Sequence, residues 1–353
     1  MPPGVLLIRF ADDLAVEASG KTENEIVAVT NLAVQRVVEW MKSRGLELAS
    51  EKTEATLLVD RKIVKQVTID IIDTPVFTQP QTKYLGVFFD QGAKMKAHIV
   101  NTSRKAEATI MALSRLMPKR EGPSSSKRKL LSAAADSIML YAAPVWQESL
   151  KHLKYRSMFL KIQRKLAIRI CSAFRTVSTD AILVLAGIIP IDLLVNERTA
   201  THGKEQAVKT TEKENTLTKW QRKWEATHHL GAWTKRLIPE LKPWHKRGHG
   251  EITYALSQLL CGHGCFAVYF CRFKMKDSPL CQYCGNEQDD VYHTFFACPR
   301  WQNERRRAET EANTIITPEN IVQTMLQSPT MWNVISTMAS NIITQKRRKN
   351  KSN

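Results

Sequence analysis

Residues 4–16 read GVLLIRFADDLAV and set the architecture expected for the start of the chain. The apolar run from Gly4 to Arg9 predicts a short β-strand, and Leu14-Ala15-Val16 predicts a second strand beside it. Asp12 and Asp13 would then lie at the tip of a hairpin. Carboxylate oxygens are the ligands that Mg²⁺ prefers, so this tip is a candidate metal site. The alternative is an ordinary turn, in which aspartate satisfies local backbone donors.

The residues after this hairpin predict one helix followed by short strands. Thr22 and Glu25 have the spacing of a capping box, and the helical periodicity continues to Gly45, which favours a left-handed stop. The later β segments end with a strand over residues 83–89, in which Gly86 indicates a bulge or a close backbone contact. Because a strand follows Met-Pro-Pro directly, we expect the chain to begin inside a domain.

From residue 94 onward the pattern becomes helical. The helix predicted over residues 152–174 has one apolar stripe and one basic face, and a further helix is predicted from Pro190 to Glu214. The basic face is either a solvated surface or a surface that binds phosphates. Its residues are Lys161, Arg164, Lys165 and Arg169.

The composition indicates a folded chain with a polyanionic partner. The length of 353 residues suggests two or three domains, and a hydrophobic fraction of 43% is enough to form buried cores. The net charge of +18 favours nucleic acid over a membrane as the partner. No stretch of about 18 apolar residues and no signal peptide is present, so we expect an intracellular chain. The basic tail, residues 346–351, indicates a nuclear signal, a phosphate-binding arm or a solvated terminus.

Four tryptophans lie within residues 220–244 and are interleaved with cations such as Lys223. Aromatic rings among cations could stack on bases while the cations bind phosphates. The alternative, which we favour, is that these tryptophans form the core of a small helical region. They are Trp220, Trp224, Trp233 and Trp244.

A second group of residues has the spacing of a zinc site. Two cysteines separated by two residues are followed by a histidine after eight residues and a cysteine after four more: Cys281, Cys284, His293 and Cys298. This Cys₃His set, here called the CCHC cluster, suits Zn²⁺, and four protein ligands make such a site structural. The odd total of seven cysteines argues against a disulfide framework. One of three nearby cysteines could replace a ligand: Cys261, Cys265 or Cys271.

Taken in order, these motifs resemble non-LTR (LINE-type) retrotransposon reverse transcriptases. The second half of the palm of that family is similar to four pieces of this chain: Phe10-Ala11-Asp12-Asp13, the helix to Gly45, Lys52-Thr53-Glu54 and Tyr84-Leu85-Gly86-Val87. The C-terminal region of insect elements of the Jockey and ribosomal-DNA-inserting groups resembles Gly262-His263-Gly264 and the CCHC cluster. The resemblance covers most of residues 4 to 301. It implies an RNA-directed DNA polymerase, which is a nucleotidyltransferase.

The resemblance implies an α+β fold in five parts. Antiparallel hairpins and a helix in residues 1–93 would form a truncated reverse-transcriptase palm, whose last piece is a hairpin at the base of the thumb. Residues 94–214 would form an all-helical thumb or connection. A Trp-rich basic helical linker region (215–275), a small zinc knuckle (276–303) and a helical C-terminal segment with a basic tail (304–353) would follow.

The resemblance also implies roles for single residues. Asp12 and Asp13 would be catalytic ligands of Mg²⁺, and Lys52 would protonate the leaving pyrophosphate or stabilise its charge. Primer and template would contact Phe10, Tyr84, Leu85 and Gly86. An RNA template and a DNA target or primer would be the partners, with no membrane, and the candidate residues that bind them are Lys161, Arg164, Lys165, Arg169 and Lys223.

The family also carries a metal-binding aspartate and the fingers before this hairpin. We expect both to be missing here, so that the Mg²⁺ site is partial and the isolated chain does not polymerise. The first hypothesis is an inactive fragment of a polymerase that performs target-primed reverse transcription in its parent element. The second is a non-catalytic nucleic-acid-binding zinc-knuckle protein, and the third is a zinc-dependent scaffold. We expect the chain to be located in the nucleus.

Overall fold

The computed structural model of the chain describes residues 1–59, 66–72, 74–118, 122–227 and 230–352. The chain forms two compact units, residues 1–102 and residues 103–353. The first unit contains the hairpins and the second unit is helical, so the structure is mostly helical with small antiparallel hairpins. The predicted change from hairpins to helices is therefore present, and the finer five-part division stays a prediction.

In its described part, the first unit contains three separate two-stranded antiparallel sheets. Each sheet is a hairpin of two consecutive strands, and one long helix follows the first hairpin. In chain order the elements are β1 (Val5–Phe10), β2 (Asp13–Ala18), α1 (Glu23–Ser43), β3 (Thr68–Ile71), β4 (Thr74–Phe77), β5 (Gln81–Tyr84), β6 (Val87–Asp90) and α2 (Lys96–Ser114), which continues into the second unit.

β1 and β2 form the hairpin predicted from residues 4–16, with Phe10 opposite Asp13. Because side chains alternate between the two faces of a strand, Leu6, Ile8 and Phe10 share one face. These side chains are 55%, 39% and 63% exposed, respectively. An isolated two-stranded hairpin has little stability of its own, and α1 packs against both strands.

The predicted capping box begins α1. The Thr22 hydroxyl accepts a hydrogen bond from the N–H of Glu25 at 3.2 Å, and the Glu25 carboxylate accepts one from the N–H of Lys21 at 2.8 Å. Two of the free N–H groups at the start of the helix region are satisfied in this way. A small core then joins α1 to β3 and includes Val34, Val38 and Ile71.

Residues 83–89 do not form the single strand that the periodicity predicted. β5 and β6 instead meet at the two-residue turn Leu85-Gly86, where φ is +45° and +81°. Two positive φ values are characteristic of a type I′ hairpin turn, whose twist matches that of its strands. Gly86 thus lies in a turn and not in a bulge, and the hairpin implied by the family resemblance is present.

The second unit is built from helices joined by short turns. Its α-helices are α3 (Ser125–Leu140), α4 (Ala143–Trp146), α5 (Leu153–Ile170), α6 (Thr179–Ala186), α7 (Ile191–Thr201), α8 (Gln206–Glu225), α9 (Ala232–Leu237), α10 (Leu241–Lys246), α11 (Tyr254–Cys261), α12 (Ala267–Arg272), α13 (Gln302–Ala312), α14 (Ile321–Gln327) and α15 (Pro329–Ser352). A π-helical turn, His293–Ala297, lies between α12 and α13. The apolar stripe predicted on α5 is buried: Phe159, Ile162, Leu166 and Ile170.

Two helices replace the single helix predicted from Pro190 to Glu214. α7 ends at Thr201 and α8 begins at Gln206. Gly203 between them has φ +66°. Glycine adopts this left-handed conformation without the steric cost of a Cβ atom, so the chain turns here although the helical periodicity continues.

The tryptophans of residues 220–244 lie mainly in the core, as the favoured interpretation predicted. Trp220, Trp224 and Trp244 are at most 3% exposed, and Trp233 is half-buried. Trp224 donates its indole N–H to the carbonyl of Ile238 at 2.9 Å, and Trp244 donates to the carbonyl of Val184 at 2.8 Å. Both indole N–H groups therefore keep a hydrogen bond although the rings are buried.

No single helix in the described ranges is both long and apolar enough to cross a membrane. Helices α6 and α7 reach the length and apolar composition of a membrane span only when they are counted together. The two helices are bent by 56° relative to each other. The side chains of α6 from Ala181 to Ala186 are buried in the core of the second unit.

Two half-buried groups of the second unit have opposing effects on how stability depends on pH. Burial raises the pKa of the Asp136 carboxyl to about 6 and lowers the pKa of the His245 imidazole to about 4. In this pH range the Asp136 carboxyl holds a proton in the folded chain and has lost it in the unfolded chain. Its contribution to the free energy of unfolding therefore falls as the pH rises from 3.8 to about 6. The His245 imidazole holds a proton in the unfolded chain and has lost it in the folded chain. Its contribution to the free energy of unfolding therefore falls as the pH drops from 6.5 to about 4.

Replacing Asp136 by asparagine should therefore make the free energy of unfolding rise more steeply with pH between 4 and 6, because the variant loses the opposing contribution of Asp136 and keeps that of His245. His245→Gln should give the opposite change in slope. Urea unfolding followed by circular dichroism across this pH range measures both slopes. Equal slopes in the wild type and the two variants would contradict the assigned pKa directions.

Candidate metal centre

The structure brings the four residues of the CCHC cluster together. All four ligand atoms lie within 4.8 Å of one another. The Sγ atoms of Cys281 and Cys298 are 3.9 Å apart, and Cys284 Sγ lies 3.3 Å from His293 Nε2. A tetrahedral zinc ion with Zn–S bonds of about 2.3 Å has its sulfur ligands about 3.8 Å apart. The donor set and its spacing therefore fit Zn²⁺.

Two local structures place these donors. In the first, the N–H of Cys281 donates to the carbonyl of Glu287, and the N–H of Gly285 donates back to the carbonyl of Cys281, both at 2.8 Å. Gly285 has φ +75°, which lets the chain turn tightly after the two cysteines. In the second, the π-helical turn brings the N–H of Cys298 to the carbonyl of His293 at 2.7 Å.

The thiols of the cluster differ in how readily they lose a proton. The N–H groups of Asn286 and Glu287 donate to Cys284 and lower the pKa of its thiol. Burial raises the pKa of Cys298 to about 11. A buried thiolate at Cys298 needs a cation beside it, so metal binding at this centre is coupled to proton release.

The other cysteines take no part in this cluster. Among the described residues, the CCHC cluster is the only group of three or more His, Cys, Asp or Glu residues placed to share a metal ion. Burial raises the pKa of Cys261 and of Cys171 to about 12. His263 is also outside the cluster, and its Nδ1 lies 2.8 Å from the hydroxyl oxygen of Thr176. The predicted ligand set thus stands without a replacement from Cys261, Cys265 or Cys271.

Asp12 and Asp13 lie at the exposed tip of the β1–β2 hairpin. Ala11 beside them has φ +52°, a conformation that is uncommon for residues with a Cβ atom. Within the described ranges no third acidic or histidine ligand joins the two carboxylates. The Mg²⁺ site predicted at this tip therefore stays a prediction. Lys52 is exposed at the end of a short 3₁₀ turn, Ser50–Lys52.

The residues predicted to contact primer and template lie on two hairpins. Phe10 is the exposed last residue of β1, and Leu85 and Gly86 form the β5–β6 turn. The Tyr84 hydroxyl is buried and has no hydrogen-bond partner among the described residues. A buried hydroxyl without a partner is uncommon in folded proteins and makes Tyr84 the unusual member of this set.

Several of the predicted nucleic-acid-binding residues have partners within the second unit. Arg164 donates to the carbonyls of Arg175 and Val177, and the second bond is 2.8 Å long. Lys165 forms an ion pair with Glu107, and Lys223 forms one with Asp192 at 3.1 Å. Lys161 is exposed and Arg169 is half-buried.

Two features near the CCHC cluster were not found from the sequence. Lys346, predicted to lie in a basic tail, is buried and forms an ion pair with Asp289. Lys349 and Arg300 lie over the ring of Tyr283, with Lys349 Nζ 4.5 Å and Arg300 Cζ 6.0 Å from the ring centre. The sequence does contain a signal for the burial of Lys346. This residue continues the helical spacing of the apolar residues Ile335, Ala339 and Ile342 along α15.

The chain has relatives among retrotransposon proteins. A 115 kDa protein in the type-1 retrotransposable element R1DM of Drosophila melanogaster is 24% identical over 328 residues, which are 86% of this chain and 32% of the relative. Two retrovirus-related Pol polyproteins of Nasonia vitripennis, from the type-1 elements R1 2 and R1 3, are 25% and 26% identical. These alignments cover 87% and 82% of this chain, and 81% and 84% of the relatives. No family model and no solved structure matches the chain.

These comparisons establish the class of protein to which the chain is related, the Pol polyproteins of retrotransposable elements. More narrowly, its homologues are the Pol polyproteins of type-1 (R1) non-LTR elements of insects, and the predicted resemblance is confirmed. The chain spans about a third of the length of the Drosophila relative and more than four fifths of the two Nasonia relatives.

Purified chain should bind about one Zn²⁺, and Cys298→Ser should retain much less zinc because only three of the four donors remain. Cys271→Ser removes a thiol outside the cluster and should keep the metal. Zinc is measured by mass spectrometry after gel filtration of each variant. Equal zinc contents in the two variants would show that the cluster is not the binding site.

Proposed function

We propose that the chain is a C-terminal part of a non-LTR retrotransposon Pol protein that binds nucleic acid around a structural zinc centre. The observation that carries this proposal is the complete CCHC donor set in a chain that aligns with R1 Pol polyproteins over more than four fifths of its length. Its substrates would be the RNA template and the DNA target of the parent element. Its place of action would be the nucleus.

The proposed role of the metal is structural. Cys281, Cys284, His293 and Cys298 would occupy all four positions of a tetrahedral zinc ion, which leaves no open position for a substrate. Cys281, Cys298 and Phe295 also belong to the main core of the second unit. Zinc bound here would add its binding free energy to the stability of that core.

The proposed role of the first unit is that of a partial polymerase palm. Asp12 and Asp13 would supply carboxylates for Mg²⁺, Lys52 would act on the leaving pyrophosphate, and Phe10 and Tyr84 would lie near the primer. Helices from residue 94 onward would correspond to the thumb. Two carboxylates at an exposed tip do not form the closed, water-excluding site that phosphoryl transfer needs, so this chain by itself would not polymerise.

The proposed nucleic-acid face lies beside the CCHC cluster and is defined by Tyr283, Arg300 and Lys349. Arg300 and Lys349 are exposed, and both hold a positive charge over the Tyr283 ring. Cations next to an aromatic ring can bind the phosphates of a single strand while the ring stacks on its bases. The charge of +18 gives the chain a general attraction to such a polyanion.

A primer-extension assay tests the palm proposal. The chain, given a primed RNA template, deoxynucleotides and Mg²⁺, should produce no templated extension, because the metal ligands at residues 12 and 13 are incomplete. Asp12→Asn serves as the matched control. Templated product in the wild type that disappears in Asp12→Asn would overturn the predicted inactivity.

Salt-dependent binding tests the nucleic-acid face. Arg300→Gln/Lys349→Gln should weaken binding to a single-stranded RNA and lower the slope of log K against log salt by about 1.4, since two phosphate contacts are lost. Lys204→Gln/Lys219→Gln removes the same charge from other exposed lysines and should have a smaller effect. Asp12→Asn should bind like the wild type.

The outcomes also separate the three hypotheses. Binding that falls after chelation or in Cys284→Ser supports a zinc-dependent nucleic-acid protein. Undetectable binding at low salt by a folded, zinc-loaded chain would favour the zinc-dependent scaffold. Equal losses of RNA affinity in the two double variants would show that the overall positive charge of the chain attracts the RNA and that Tyr283, Arg300 and Lys349 do not form a defined binding face.

A further inference from the structure

Lys346 of α15 has no exposed surface. Its ammonium group forms an ion pair with Asp289, lies 3.0 Å from the Thr294 hydroxyl oxygen and sits 5.3 Å from the centre of the Phe266 ring. A charge this far from water persists only when it is paired and hydrogen-bonded. Residues 346–351, the basic tail of the sequence analysis, therefore include a residue that belongs to the core of the second unit.

The partners of Lys346 belong to the segment that carries the metal ligands. Thr294 directly follows His293, and its hydroxyl donates to the Asp289 carboxylate at 2.8 Å. The other carboxylate oxygen of Asp289 accepts from the N–H of Ala267 at 2.8 Å. The N–H of Asp289 donates to the carbonyl of Pro279, also at 2.8 Å, two residues before Cys281. Asp289 thus connects both halves of the ligand set to one lysine.

We propose that Lys346 is a positioning residue for the CCHC cluster, so that zinc loading and the docking of the end of α15 are coupled. This inference rests on the proposed zinc site. A second shell of hydrogen bonds orients the ligands of a metal, and Lys346 supplies the charge that keeps Asp289 in place. Coupling between two binding events is reciprocal: the docked helix strengthens zinc binding, and bound zinc holds the helix in place.

The coupling has a consequence for the nucleic-acid face. Lys349 lies one turn after Lys346 on α15 and reaches the Tyr283 ring next to Cys284. Arg300 also lies over that ring, and it donates a hydrogen bond to the side-chain oxygen of Gln345 on the same helix at 3.1 Å. When zinc dissociates, the end of α15 is no longer held against the CCHC segment. Lys349 and Arg300 then no longer lie together over the Tyr283 ring. Zinc occupancy would therefore control the face that binds nucleic acid.

The zinc affinity of the full chain, measured by competition with a chelator, tests the coupling. Lys346→Met should weaken zinc binding by about 10- to 100-fold, the usual effect of losing a group that orders the ligands. Two control variants test whether loss of a charge, or shortening of a buried side chain on α15, is enough to weaken zinc binding. Arg347→Met removes a charge from the next residue, and Ile335→Ala shortens a buried side chain elsewhere on α15; both should leave zinc affinity unchanged.

Two further readouts separate positioning from general destabilisation. The absorption spectrum of the cobalt-substituted chain should change in Lys346→Met, because the ligand geometry changes, and stay as in the wild type in Ile335→Ala. Asp289→Asn/Lys346→Met should recover part of the lost affinity, since it removes the unpaired buried carboxylate that the single variant leaves.

Hydrogen exchange covers the case in which Lys346→Met does not fold. In the unmutated chain, removal of zinc should lower the protection of residues 343–349 more than that of residues 330–338. Uniform protection along α15 with and without zinc would overturn the coupling, as would equal weakening of zinc binding by Lys346→Met and Ile335→Ala. A wild-type chain that binds no zinc would instead overturn the proposed function, and the inference with it.

Discussion

The second unit depends on a buried ion pair between Lys346 and Asp289. Removal of two charges from water is unfavourable unless good geometry and further hydrogen bonds compensate, and here Thr294 and the N–H of Ala267 provide those bonds. Because neither partner is stable in the core alone, the last helix and the CCHC segment must be in place together. The metal centre is thereby part of the same core as the tryptophans.

The two candidate metal sites differ in completeness. The CCHC cluster has four donors at tetrahedral spacing, and two of its thiols are fully buried. The carboxylates of Asp12 and Asp13 lie at an exposed hairpin tip, and no third ligand joins them in the described ranges. Of the two candidate sites, only the CCHC cluster brings together a donor set that suits Zn²⁺.

Local signals in the sequence predicted local structure well. Apolar runs on both sides of Asp12-Asp13 predicted the hairpin correctly, and the Thr22 and Glu25 spacing predicted the correct helix start. The ligand spacing found the CCHC cluster because zinc accepts few arrangements of thiols and imidazole. The predictions over residues 83–89 and 190–214 were wrong because residues at positive φ turn the chain: Leu85 and Gly86 in the first segment and Gly203 in the second.

By itself, the sequence determined the hairpin, the helix cap, the zinc ligand set and the relationship to retrotransposon Pol proteins, since each depends on residue types at short, regular spacing. Only the tertiary structure decided which of the many cations face solvent. Arg164, Lys223 and Lys346 all occur in basic stretches, yet the first two contact groups of their own unit and the third is buried. Such pairing joins residues far apart in the chain, and spacing along the sequence carries no record of it.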